Sequence, residues 1–267
     1  MYQSDHPIRK RFRLFFTVIG VVLILSFLKI LIHWTSLEFL TLNALFTSAI
    51  AAAVFIIGFL LSSVLADYKE AERMPADMRA AMEAIHDDTR LFPKASAEEL
   101  AIVRKNLLDI VSGLHEALDR DGGHDLRSVI AHVDALTETF AALEAKGMPP
   151  NYIVRLRAEQ SALRRSIFRI YHMQRIQFVP SSHVLVQTLV LAVVLLLLFL
   201  QTEGSPESAL IFGAISYMFI YALYLVNTLE QPFRKRRHSL DDVSMFLLRE
   251  FSDKIREAEK TPLVERR

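Results

Sequence analysis

The sequence FLTLNALFTSAIAAAVFIIGFLLSSVLA, from Phe39 to Ala66, contains no charged residue. Glu38 precedes it, and the charged segment Asp67-Tyr68-Lys69-Glu70 follows it directly. A helix of about 20 apolar residues crosses the hydrocarbon core of a bilayer, and this stretch is longer than that. It therefore predicts a transmembrane helix that continues into a charged, water-exposed helix.

Three further apolar blocks have the length of a membrane span: Leu14 to Ile32, Val184 to Leu200 and Ala209 to Leu229. Hydrophobic residues make up 52% of the 267 positions and charged residues 23%, with a mean hydropathy of +0.28, so apolar residues are segregated into blocks. The first block lacks a small-x-small cleavage site and is longer than the apolar core of a signal peptide, which indicates an uncleaved span. The sequence thus predicts an all-α membrane protein with four transmembrane helices.

Lys and Arg flank these blocks unevenly, and this fixes the predicted orientation. Basic clusters precede the first block and follow the fourth, at Arg234 to Arg237, whereas the hairpins HWTSLE and TEGSPES contain neither Lys nor Arg. Both termini and the central segment are therefore expected in the cytoplasm. Lys29 is expected to snorkel to the outer interface, and Trp34 to anchor there. The predicted organisation is a basic N-terminus, two spans, a cytoplasmic helical insert, two more spans and a cytoplasmic C-terminal segment, at 1–13, 14–66, 67–182, 183–229 and 230–267.

The central segment has helical periodicity throughout and predicts a bundle of four helices, the first continuous with the second span. Turn signals fall at 92–94, 121–123 and 147–150. Ser96 and Glu99 form a capping box at the start of a helix. Two apolar stripes predict buried faces: Leu100, Val103, Leu107, Ile110, Val111, Leu114 and Leu118; and Leu126, Val129, Ile130, Val133, Leu136, Phe140 and Leu143. Near the C-terminus, Asp241 and Asp242 are expected to cap a helix whose apolar face is Val243, Phe246, Leu247 and Phe251.

The second span carries a stripe of a particular kind. With about 100° per residue, seven residues fall within about 40° of Phe55: Ser48, Ala51, Phe59, Ser62, Ala66, Lys69 and Arg73. The order is small and polar, then phenylalanine, then small, then basic, which suits an ion path with an apolar gate between polar ends. Phenylalanines that pack against lipid or neighbouring helices, with small residues permitting close helix contact, would give the same pattern.

Several local patterns resemble the bestrophin family of channels, and particularly its bacterial members. Val54 to Phe59 is similar to the pore-lining neck, Leu229-Glu230-Gln231-Pro232-Phe233 to the acidic-x-Pro-Phe element after the last span, and Asp67 to Pro75 to the bacterial proteins. The order of spans and insert is also similar over nearly the whole chain. The resemblance implies five-fold assembly in a bacterial inner membrane, a neck of Ala51, Phe55 and Phe59, and a Pro-Phe element of Glu230, Pro232 and Phe233. Helical spacing adds Ser48, Ser62 and Ala66 as the flanks of that neck.

The chain departs from the family at identifiable positions. Ala51 stands where a bulky aliphatic residue is frequent, and Arg234 to Arg237 replace the acidic cluster that forms a calcium clasp in animal members. Calcium gating is therefore not expected.

Two functional classes fit the sequence. The first is an oligomeric ion channel that prefers chloride to sodium or potassium, because Lys69 and Arg73 lie on the pore stripe, with Glu70 about 60° away moderating the effect. The second is a non-conducting scaffold or sensor that binds a protein partner through its helical bundle. No enzymatic activity, cofactor or nucleic-acid partner is expected, and the partners are the lipid bilayer, inorganic ions and further copies of the chain. His115, His124 and His132 lack the spacing of metal ligands and are interpreted as surface residues.

Overall fold

The computed structural model describes residues 13–119, 126–175, 180–230, 232–233 and 242–260. The elements in these ranges are eight helices: α1 (Arg13–Trp34), α2 (Ala44–Leu91), α3 (Ala97–Asp119), α4 (Arg127–Ala145), α5 (Pro150–Arg175), α6 (Pro180–Phe199), α7 (Pro206–Leu229) and α8 (Phe246–Lys260). The all-α fold class is therefore confirmed. The predictions made for 1–12, 121–123, His124, 234–237 and 239–241 lie outside the described residues.

The described residues form two compact units, which divide within α2 between Tyr68 and Lys69. The membrane unit comprises α1, α2 as far as Tyr68, α6 and α7. The bundle unit comprises the rest of α2 with α3, α4, α5 and α8. Helix α2 itself is a single helix of 48 residues that passes through Pro75 without ending.

Three helices of the membrane unit, α1, α2 and α7, are long and apolar enough to cross a bilayer. The described apolar part of α6, His183–Phe199, is shorter. Helix α2 starts at Ala44 rather than at Phe39, because Asn43 caps it: its Oδ1 accepts a hydrogen bond of 2.8 Å from the Phe46 N–H. The core of the unit joins residues of α1, α2, α6 and α7, among them Val18, Ala53, Ile57, Val190, Val194 and Phe219.

A buried ion pair between Lys29 of α1 and Glu38 joins the loop between α1 and α2 to the start of the loop between α6 and α7. Lys29 is only 6% exposed, and its ammonium donates to Glu38 Oε1 at 2.6 Å, to the Leu198 carbonyl at 3.1 Å and to the Leu200 carbonyl. All three ammonium hydrogens therefore have acceptors, two of them carbonyls at the C-terminal end of α6, where a cation is favoured. The prediction that Lys29 snorkels to the interface is wrong, because the acceptors that it needs lie inside the protein.

Glu38 has further donors on the same side chain. Thr202 donates its N–H at 3.1 Å and its hydroxyl at 3.2 Å, and His33 Nδ1 lies 3.2 Å away. Burial by itself raises the pKa of Glu38, but the hydrogen bonds from Lys29, Thr202 and His33 outweigh it and lower the pKa to about 2. The His33 ring also explains Gly204, whose φ is +68°: a Cβ there would lie 2.7 Å from His33 Nε2.

The bundle unit has a continuous apolar core. Both predicted stripes of α3 and α4 contribute to it, with Leu100 and Ile130 only half-buried. Helix α2 adds a row of methionines, Met74, Met78 and Met82, which are at most 5% exposed. Gly113 lets α3 approach α4, since a Cβ there would lie 3.1 Å from Val129 Cγ2.

Polar contacts fix two helices of the bundle. The capping box is confirmed: the Ser96 N–H donates to Glu99 Oε2 at 2.8 Å, and the Glu99 N–H donates to Ser96 Oγ at 3.3 Å. Buried Gln160 of α5 donates to the Val133 carbonyl at 2.6 Å and to Thr137 Oγ1 at 2.8 Å, which sets the register of α5 on α4. In α8 the predicted apolar face is partly wrong. Phe246 is 53% exposed, and the buried apolar residues of the helix are Leu248, Phe251 and Ile255. Phe246 and Phe251 are five residues apart and hence about 140° apart on a helix, so they cannot share one narrow face.

Candidate functional site

The predicted pore stripe lies on the face of α2 that the membrane unit leaves uncovered. Phe55 is 75% exposed and Phe59 69% exposed. The other members of the stripe in this unit are exposed as well: Ser48, Ala51, Ser62 and Ala66. In a single chain, α2 thus presents a continuous strip in which phenylalanine side chains stand between small residues.

The opposite face of the same helix packs into its own unit. Ala53, Ile57 and Val64 are at most 5% exposed. A Cβ added at Gly58 would meet no atom of the described residues within 4 Å, so no contact among them requires glycine there. The face that carries Phe55 and Phe59 is therefore free to contact lipid, another copy of the chain or an aqueous path.

The basic candidates lie in the bundle unit, and both are exposed. Within the described residues, neither Lys69 nor Arg73 forms an ion pair. Glu70 differs, because Arg169 of α5 binds its carboxylate through two nitrogens, at 3.0 and 2.8 Å. The charge of Glu70 is thus opposed at close range by a bidentate guanidinium, which weakens its field relative to that of the two unpaired cations.

The Pro-Phe element is buried on both sides of the undescribed Gln231. Phe233 is 5% exposed and belongs to the core of the bundle unit. Glu230 caps the C-terminus of α7 in the membrane unit, with its side chain 7% exposed. Pro232 is also buried.

Glu230 has a partner that the sequence analysis missed. His183 Nδ1 of α6 lies 3.1 Å from Glu230 Oε2, and the other ring nitrogen lies 2.7 Å from Gln187 Nε2. Burial raises the pKa of Glu230, although the neighbouring imidazole acts in the opposite direction. Since His183 and Gln187 stand four residues apart at the polar end of an apolar block, their spacing was a usable signal of a shared helix face.

No group of acidic, histidine or cysteine side chains within the described ranges is arranged to hold a metal ion. Of the three histidines considered from sequence, His115 lies 2.7 Å from a guanidinium nitrogen of Arg249, and His132 lies 3.8 Å from Asp109.

The apolar helices, the uncovered strip on α2 and the helical bundle define the class of the molecule as an all-α membrane protein. No family model and no curated protein matches the sequence. Solved structures do match: a single-residue variant of a bacterial bestrophin homolog from Klebsiella pneumoniae aligns with a TM-score of 0.77 at 15% identity, covering 92% of this chain and 100% of that one. A second variant gives 0.76 at 14% identity, and a further structure of that homolog gives 0.75 at 15%, each covering 92% of this chain and 99% of the other.

These likenesses identify the particular fold: the chain has the bestrophin fold. The resemblance drawn from the neck and Pro-Phe patterns is confirmed at the level of the fold.

Proposed function

We propose that the chain forms an oligomeric, bestrophin-like ion channel, with five copies arranged around α2 and with chloride preferred to sodium or potassium. We place it in a bacterial inner membrane with both termini in the cytoplasm. Phe55 and Phe59 form an apolar neck with Ala51, and Ser48, Ser62 and Ala66 line the path on either side. Such a neck gates by wetting and drying.

One observation carries this proposal. Phe55 and Phe59 are the bulky members of a strip that the chain's own core leaves open, while Ala53 and Ile57 on the opposite face are buried. When copies of α2 surround one axis, every residue of the strip lines the same ion path, including the small residues and the polar ends. Contact with lipid alone explains the phenylalanines but not the hydroxyl groups of Ser48 and Ser62 on the same strip.

Charge supports the preference for anions. Lys69 and Arg73 continue the strip and have no ion-pair partner within the described residues, whereas Glu70 is held by Arg169. Five-fold repetition would turn each cation into a ring, and a narrow low-dielectric mouth focuses the potential of such a ring.

The alternative is a non-conducting scaffold or sensor. Apolar side chains on the bundle unit favour it, since Val154 is 68% exposed and Phe168 is 53% exposed on α5, where a protein partner would bury them.

Ion flux from liposomes separates the two functions. Purified wild-type protein should conduct chloride, and Phe55→Ala or Phe59→Ala should raise basal flux, because a wider neck wets more easily. Phe27→Ala is the matched control, since Phe27 is 71% exposed on α1 and lies outside the neck. Mass measurement in detergent should give a pentamer for all four proteins. Wild-type protein without flux in any salt, or a mass of only one or two copies, would favour the scaffold.

A further inference from the structure

The membrane unit contains a cavity of about 490 Å³ beside α2. Its walls come from the start of α2, the end of α6 with the residues just after it, and the first three turns of α7. The volume lies in the range of small-molecule sites, about 300–1,000 Å³.

The wall has a polar end and an apolar end. On α7, Ser208, Ile211, Phe212 and Ile215 follow one another at helical spacing and form a strip roughly 10 Å long. Gln201 and Thr202, which belong to the loop before α7, lie at the end near Ser208. A molecule that filled the cavity would therefore have a polar group at the loops and an apolar chain along α7.

The four polar side chains of this rim each donate a hydrogen bond within the protein. Thr202 Oγ1 donates to Glu38 Oε1 at 3.2 Å, Ser208 Oγ donates to the Ser205 carbonyl at 2.8 Å, and Thr47 Oγ1 donates to the Asn43 carbonyl at 3.2 Å. Gln201 Nε2 donates to the Glu38 carbonyl at 3.3 Å. Among the described residues, no charged side chain lines the cavity. Its chemistry therefore disfavours an ionic ligand and favours hydrocarbon.

We propose that this cavity holds one acyl chain of a bilayer lipid from the leaflet that meets the two loops. Three of the membrane unit's helices have the length and composition of spans, so the hydrocarbon chains of a bilayer would surround this unit. An empty apolar cavity forfeits dispersion contacts, and a chain from the bilayer restores them. Ala51, which lines the cavity, belongs to the proposed neck, so the bound chain lies against the helix that shapes it. That last contact alone rests on the proposed channel function.

Native mass spectrometry of the purified protein tests the site by counting retained lipids. Ile211→Trp fills the cavity with a side chain, and Leu210→Trp is the matched control, because Leu210 is 73% exposed on the same helix and does not line the cavity. Wild type and Leu210→Trp should each retain one more lipid per protomer than Ile211→Trp. Equal lipid counts in the three proteins would overturn the proposal.

A labelling experiment covers the case in which Ile211→Trp fails to fold. The chain contains no cysteine, so Ile211→Cys and Leu210→Cys each introduce a unique thiol. Added phosphatidylglycerol should slow the reaction of Ile211→Cys with a lipid-soluble maleimide several-fold and leave Leu210→Cys unchanged.

Two other results would overturn the lipid site. Disulfide-linked dimers of Ile211→Cys would mean that a second copy fills the cavity, and rapid reaction with a charged, water-soluble maleimide would mean that water fills it. Neither measurement uses ion flux, so a failure here is separate from a failure of the proposed channel.

Discussion

Replacing Lys29 by methionine should destabilise the membrane unit by roughly 3 kcal/mol. The substitution leaves the Glu38 carboxylate, whose side chain is 8% exposed, without its closest cation, and it leaves the Leu198 and Leu200 carbonyls without a donor. Removing one partner of a buried ion pair costs about 3–5 kcal/mol. The low pKa of Glu38 agrees in direction, since hydrogen bonds from Lys29, Thr202 and His33 all favour the charged carboxylate.

Thermal unfolding in detergent, followed by loss of the monodisperse species, measures the effect. For a chain of this size, 3 kcal/mol lowers the midpoint by roughly 6–12 °C. Lys105→Met is the matched control, since Lys105 is exposed on α3, and its midpoint should stay within about 2 °C of wild type.

A double-mutant cycle identifies the cause of the loss. In Lys29→Met with Glu38→Gln no unpaired charge remains, so the double variant should be less destabilised than the sum of the two single changes. An unchanged midpoint in Lys29→Met, or strict additivity in the cycle, would refute the assignment of Lys29 and Glu38 as a buried pair.

Three further predictions follow from the same contacts and charges. Because the pKa of Glu38 is lower in the folded protein than in the unfolded chain, its stabilisation is complete above about pH 4.5 and is lost as pH falls towards 2; the unfolding midpoint of Glu38→Gln should therefore vary less over that window than that of wild type. Gly204→Ala should lower stability by about 1–2 kcal/mol or more, because its φ of +68° is unfavourable for alanine and the new Cβ meets the His33 ring. Gly20→Ala in α1 is the control and should not lower stability, because no described atom lies within 4 Å of the new Cβ. Unfolding midpoints check both variants. Lys69→Glu combined with Arg73→Glu should shift the reversal potential in a chloride gradient towards cation preference, and more so at low salt. Arg157→Glu with Arg165→Glu makes the same charge change on an exposed face of α5 and should not shift it. Equal shifts in the two double variants would remove Lys69 and Arg73 from the ion path.

Periodic features were accessible from sequence because they depend on residues close together in the chain. The buried stripes through Val103 and Val133, and the capping box at Ser96 and Glu99, required only helical spacing. The burial of the Lys29 ammonium was not accessible in this way, because two of its acceptors are carbonyls about 170 positions away, and backbone groups carry no residue signature.

In the candidate site, too, the features that depend on local spacing were predictable from the sequence and the contacts between distant residues were not. The strip through Phe55 and Phe59 was predicted from spacing, and the structure adds that the chain leaves this strip exposed. The pairing of Glu70 with Arg169 required knowing that α5 passes α2 at that level, which no local pattern reveals. The face of α8 was misplaced for a third reason: Phe246 and Leu248 are two residues apart and lie on nearly opposite faces of the helix, and both are apolar, so apolarity alone does not show which of them faces the core.

The methionine row on α2 gives the bundle unit a deformable core on that side of the helix. Met74, Met78 and Met82 are unbranched and have three rotatable bonds each, so they can follow a small turn or slide of α2 by changing rotamer, where isoleucine or valine would leave a void or a clash. The same row is sensitive to oxidants. Methionine sulfoxide is polar, and its formation at any of these positions would place a polar oxygen in an apolar core. Peroxide would therefore oxidise mainly molecules whose bundle has opened. The amount of sulfoxide at Met78 or Met82 would then measure how often α2 separates from the rest of the bundle unit.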